Sequence, residues 1–133
     1  MADSMTLNKA LPASGLLLLV QNDADDRAEY AERFRALGFT VFDVGDGAEA
    51  LSLLFANRPR LIVLDVLLPT VDGIELCRKA RELHGDRFAI LFLSEITDFD
   101  VMEMCFEAGG NDYLVKSEKQ SDILSRVVHW TRP

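Results

Sequence analysis

The chain has 133 residues, enough for one domain with a single core. It carries 14 Lys and Arg against 22 Asp and Glu, a net charge of -8 that argues against the basic face nucleic-acid binding requires. At 49% hydrophobic and 27% charged residues, the composition is that of a soluble globular protein, read here as cytoplasmic.

Residues 1–14 are polar and aperiodic and read as a loose tail, leaving 15–133 as the folded domain. Leu16 to Val20 is an apolar run of five that suits a strand buried on both faces. It is too short to span a bilayer, and the acids Asp23, Asp25 and Asp26 behind it disfavour a signal peptide, so no membrane role is expected. Tyr30, Ala31, Phe34 and Leu37 then fall at helical spacing, with Gly38 as the stop. Phe39 to Val44 reads as a second strand. Asp46 and Glu49 open a second helix in near capping-box form, with Ala50, Leu51, Leu54 and Phe55 predicted inward. Leu61 to Leu64 is the third strand, running straight into Asp65.

Asp72 and Glu75 repeat the capping pattern and open a third helix with Leu76, Cys77, Ala80 and Leu83 inward, stopped by Gly85. Phe88 to Leu93 is a fourth buried strand, followed by a loop from Ser94 to Thr97. Val101, Met104, Cys105 and Ala108 mark a fourth helix, stopped by Gly109 and Gly110. Tyr113 to Val115 is a short fifth strand. A last helix puts Ile123, Leu124, Val127 and Val128 inward. Cys77 and Cys105 form no CxxC and read as half-buried thiols in a reducing compartment. His84 and His129 read as surface residues.

Five apolar strands alternating with five helices predict a doubly wound α/β fold, a parallel sheet covered on both faces. In such a sheet the site lies beyond the carboxyl ends of the strands. Strand one ends at Gln21, Asn22 and Asp23, strand three at Asp65, strand four at Ser94 and Glu95, strand five at Lys116 and Ser117. One acid, one hydroxyl and one lysine thus converge beside an amide pair. A carboxylate can act as a nucleophile and form an acyl phosphate. The transferred phosphoryl group needs positive charge and hydrogen-bond donors, which Lys116 and Ser94 would supply, with a magnesium ion that prefers carboxylates and waters.

The stretches LDVLLPTVDGIEL, FLS and AGGNDYLVK in this arrangement resemble the receiver domains of two-component response regulators, over about Leu16 to Trp130. The resemblance implies a flavodoxin-like fold of strand order 2-1-3-4-5. It implies Asp65 as phosphoacceptor, Ser94 as the hydroxyl contacting the phosphoryl group and Lys116 as the invariant lysine. Tyr113 matches the aromatic that changes rotamer on activation. The metal position is implied at Asn22, Asp65 and the Leu67 carbonyl. The implied phosphodonor is a histidine kinase or phosphotransfer protein.

Three positions depart from the family pattern. Gln21 and Asn22 stand where the family carries its metal-binding acidic pair; loss of two anionic groups beside a divalent ion weakens or abolishes magnesium binding. Glu95 stands where the family has a small residue, and Ser117 replaces a proline that follows a cis bond, which implies an altered turn. The favoured reading is a pseudo-receiver, a protein-interaction module and not an enzyme. The alternative is a working phospho-Asp switch with weak metal dependence. A flavodoxin-like cofactor binder is disfavoured because the QNDADD loop is anionic and would repel a phosphate. An aspartate-nucleophile phosphatase would need a second acid at Leu67. Met102 and Phe106 widen the apolar stripe of helix four. They are expected either under a loop or on a helix 4, strand 5, helix 5 face that docks an effector or a second copy.

Overall fold

The computed structural model describes residues 15–132, so the expected N-terminal tail lies outside the described residues. Ten elements alternate without interruption. They are β1 (Leu16–Val20), α1 (Ala24–Ala36), β2 (Thr40–Val44), α2 (Gly47–Ala56), β3 (Leu61–Leu64) and α3 (Gly73–His84). Then follow β4 (Ala89–Ser94), α4 (Phe99–Glu107), β5 (Asp112–Val115) and α5 (Gln120–Trp130). The strands form one sheet in the order β2-β1-β3-β4-β5, every pair parallel. The fold class and the strand order are those read from the sequence.

The continuous apolar runs are explained by what each pleat faces. Leu18, Val20, Ile62, Leu64, Ile90 and Phe92 point to one side, where α2, α3 and α4 supply Ala50, Leu54, Leu76, Cys77, Ala80 and Cys105. Leu17, Leu19, Leu61, Val63, Leu91 and Leu93 point to the other, onto Tyr30, Ala31 and Phe34 of α1 and Ile123 and Val127 of α5. Successive residues alternate between faces, and both faces are buried, so the central strands stay apolar until Ser94 at the carboxyl end of β4. The edge strand β2 does not meet that demand, and its Phe42 and Asp43 are exposed.

Four of the five helices start on an aspartate whose carboxylate accepts a backbone N–H: Asp23, Asp46, Asp72 and Asp98. Asp46 and Asp72 bond the amides of Glu49 and Glu75, as their capping patterns predict. α5 starts at Lys119 without a side-chain cap.

Several expectations need correction. Phe55, Leu83 and Met104 are exposed, because each helix covers the sheet with a stripe narrower than its full run of apolar residues. Phe39 and Phe88 precede their strands and are buried as loop anchors. Leu124 and Val128 are only partly buried. Cys77 and Cys105 are fully buried, free thiols, not half-buried ones. His84 is no plain surface residue: its Nε2 is hydrogen-bonded to the Leu54 carbonyl at 2.8 Å, and its ring meets Phe88 edge-on. That contact ties α3 to α2. His129 is exposed, as expected.

Candidate functional site

A cleft opens at the carboxyl ends of β1, β3, β4 and β5, lined by Asn22, Asp26, Asp65, Ser94, Glu95 and Lys116, with Leu67 at its rim. Register explains the convergence. Val20 pairs with Leu64, Leu64 with Phe92 and Ser94 with Val115, so β4 and β5 run past the ends of β1 and β3 and bring Ser94 and Lys116 over Asp65.

Asp65 is buried, and its two oxygens are used differently. Oδ1 accepts the Val66 amide at 2.8 Å, and Oδ2 faces the Lys116 ammonium at 3.3 Å. Its loop is locked from behind. A Cβ on Gly73 would sit 1.9 Å from the Asp65 carbonyl oxygen, and the Gly73 amide bonds the Val66 carbonyl at 2.8 Å. Thr70 holds the same loop from the other side in a left-handed conformation (φ 67°). Its hydroxyl donates to Asp46 at 2.9 Å and accepts the Ala48 amide at 3.0 Å. The hydrogen bonds to the α2 cap offset the cost of that backbone conformation for a β-branched residue.

Lys116 has a second partner that the spacing of motifs did not disclose. Its Nζ is 3.0 Å from Oδ2 of Asp26, on the first turn of α1. Burial opposes the lysine's charge. The hydrogen bonds and negative charges of Asp26 and Asp65 outweigh that and raise its pKa above the ordinary value. The anionic stretch after β1 was the visible signal, but only folding brings residue 26 beside residue 116.

Ser94 is almost wholly buried, its Oγ accepting the Ile96 amide at 3.3 Å. The Ile96 carbonyl in turn accepts the Tyr113 hydroxyl at 2.7 Å, so one loop residue joins the hydroxyl and aromatic positions. Tyr113 stacks on Phe92 with ring centroids 6.3 Å apart, and burial pushes its phenol pKa up. The Lys116–Ser117 bond is trans, as is every described peptide bond.

The first strand end is the unusual part. Gln21 is fully buried and its Nε2 donates to the Leu93 carbonyl at 3.3 Å, while its Oε1 has no partner. Asn22 is exposed at the cleft. Asp23 spends a carboxylate oxygen capping α1. Among the described residues, no group of three or more His, Cys, Asp or Glu is arranged to hold a metal ion. Asp65, the exposed Asn22 and Leu67, the residues the family resemblance points to for a metal, line this cleft together with Asp23, Asp26 and Glu95; magnesium is commonly held by one or two carboxylates and waters.

The family model for the response regulator receiver domain matches residues 17–128. The chain belongs to the response regulator receiver family. This receiver is 39% identical over 106 residues to the response regulator MprA of Mycobacterium sp. (strain KMS), and 37% identical to MprA of Mycobacterium leprae. The match takes in 77% of the chain and 46% of the MprA sequence, so the chain spans about half the length of the curated relatives it matches. Among solved structures, it is similar to the receiver domain of a sensor histidine kinase from Pseudomonas aeruginosa PAO1. That likeness has 29% identity and a TM-score of 0.81, covering 89% of this chain and 98% of that one. That receiver holds a magnesium ion in its active-site cleft. The Francisella response regulator 1452 receiver domain gives 25% identity and a TM-score of 0.80, covering 88% of this chain and 96% of that one. No helix among the described residues is long and apolar enough to cross a membrane.

Proposed function

We propose that this receiver is a pseudo-receiver, an interaction module that keeps the phosphoacceptor architecture with metal binding weak or lost. The observation that carries this reading is the distribution of charge in the cleft. The two residues at the family's acidic-pair positions are the neutral Gln21 and Asn22, and Lys116 is satisfied by Asp26 and Asp65 together. The lysine's own ammonium is the cation between these carboxylates. A divalent ion entering there meets two anionic groups fewer than a charged pair would offer, beside a fixed positive charge. Glu95 at the mouth adds repulsion toward an incoming phosphoryl donor.

The interaction surface of the module is the face built from α4, β5 and α5. Phe99 and Phe106 of α4 are 84% and 48% exposed, whereas the exposed Met104 lines the cleft toward α3. Its partner is an effector protein or a second copy of the chain, in the cytoplasm.

A second reading rests on the retained set. Asp65, Ser94, Lys116 and Tyr113 match the positions a phospho-Asp switch uses in the receiver family, which supports this reading. In that reading a histidine kinase or phosphotransfer protein donates. An Asp65 oxygen attacks phosphorus, the P–N bond to the donor imidazole breaks, and the imidazole leaves with the bond's electron pair. Lys116 and the Ser94 hydroxyl then meet the new phosphoryl oxygens. Acetyl phosphate with magnesium, followed by intact-mass measurement, decides between the readings. The pseudo-receiver reading expects no stoichiometric adduct. An adduct present in the native chain and absent from Asp65→Asn overturns it.

A further inference from the structure

At the opposite end of the sheet, below the amino ends of β3 and β4, lies a second cleft of about 430 Å³. Arg58, Arg60, Arg87 and Arg132 line it together with Trp130 and a single acid, Asp86. This concentration of positive charge is anomalous in a chain where acids outnumber bases 22 to 14.

The arginines elsewhere are all engaged. Arg27, Arg33, Arg35, Arg78 and Arg126 each face a carboxylate. Arg81 is held by the carbonyls of Gly85, Phe88 and Gly109. Within the cleft, Arg60 donates to the Thr131 carbonyl. Arg58, Arg87 and Arg132 differ: among the described residues, no hydrogen bond or ion pair ties their guanidinium groups. The arginines with no partner in this acidic protein therefore meet at one concave place. The lining acid, Asp86, already acts on Arg81.

We infer that this cleft binds a small phosphate-bearing molecule. Three guanidinium forks, two from separate connections and one from the segment after α5, match the several oxygens and multiple charge of a phosphate or pyrophosphate better than a single carboxylate. A concave wall focuses that field locally against the net negative charge of the whole. The volume is that of a small-molecule pocket, and the overall charge of -8 repels a long polyanion such as nucleic acid. Trp130 offers a ring for an organic portion to stack on. Its indole nitrogen donates to Asp112 at 2.8 Å, which fixes the ring in place.

The reporter is built in, since Trp130 is the only tryptophan of the chain. Its fluorescence is titrated with sodium pyrophosphate and with AMP at matched ionic strength. A saturable change with both assigns recognition to the phosphate alone; a response to AMP alone assigns it to an organic phosphate stacked on the ring. In the double variant Arg87→Ala, Arg132→Ala the affinity falls about tenfold or more, whereas Arg33→Ala, which does not line the cleft, binds like the native chain. If the alanine pair fails to fold by circular dichroism, Arg87→Lys with Arg132→Lys decides. It keeps the charge, removes the forks and is expected to weaken binding. Absence of any saturable response, or equal affinity in a folded double variant, overturns the inference. Those arginines would then serve only to offset the negative carboxyl ends of α2, α3 and α5.

Discussion

A lysine with only 10% of its side chain exposed keeps its charge only if something nearby compensates for lost water. For Lys116 that compensation is divided between Asp65 and Asp26, and Asp26 is itself 40% exposed. Asp26→Asn is therefore expected to lower stability by less than about 1 kcal/mol, since water screens its side of the pair. The same change should move the Lys116 titration downward, read by NMR at the side-chain nitrogen. The sign follows from the raised folded pKa: the stabilisation is present below the lysine's unfolded value of 10.5 and is lost as pH rises through the folded one. Cys77 and Cys105 obey the same rule for a different reason. Burial pushes their thiols up to about 11 and about 12, from 9.0 in the unfolded chain. Native protein should leave both unreactive toward a thiol reagent at neutral pH, and stability should decline from about pH 9 toward those folded values. Rapid labelling of either cysteine in folded protein would contradict the packing described here.

At the scale of elements, the β3–α3 connection determines where Asp65 points. It is held by the close approach of Gly73 to the Asp65 carbonyl and by Thr70 at the cap of α2. Gly73→Ala places a methyl group 1.9 Å from a backbone oxygen, and backbone cannot rotate away. A loss of about 3 kcal/mol, the upper end of overpacking costs, is expected in chemical denaturation. Gly85→Ala is the informative contrast, because nothing lies within 4 Å of its added carbon. It is still strained by its positive φ of 69°, so both variants destabilise, but only Gly73→Ala should disturb the cleft. The capping aspartates that begin α2 and α3 were legible beforehand, since a D-x-x-E pattern before an apolar run carries its own mechanism. The exposure of Phe55, Leu83 and Met104 was not, because helical spacing tells which residues share a face but not how wide a stripe the sheet covers.

For the whole molecule, the arrangement sorts function by place. The cleft at the carboxyl ends of the strands gathers Asp65, Ser94, Lys116 and Asp26; the opposite end gathers Arg58, Arg87 and Arg132; α4 carries the exposed Phe99 and Phe106. Phe106→Glu should weaken self-association or effector binding, measured by sedimentation and pull-down, while the thermal midpoint stays within a few degrees. A side chain already 48% exposed contributes little to the core, so unchanged association would remove Phe106 from the proposed interface.

The order of strands and helices, the buried parallel sheet and the strand-end positions of Asp65, Ser94 and Lys116 were determined by local pattern. Apolar run length, capping residues and stop glycines act within a few residues and so are written along the chain. What only the tertiary structure decided are relations between distant residues: Asp26 beside Lys116, Ile96 joining Ser94 to Tyr113, Gly73 against the Asp65 carbonyl, and four arginines around one cleft. Such pairs are separated by long stretches of chain. Their meeting depends on sheet register and helix placement, which no local periodicity encodes.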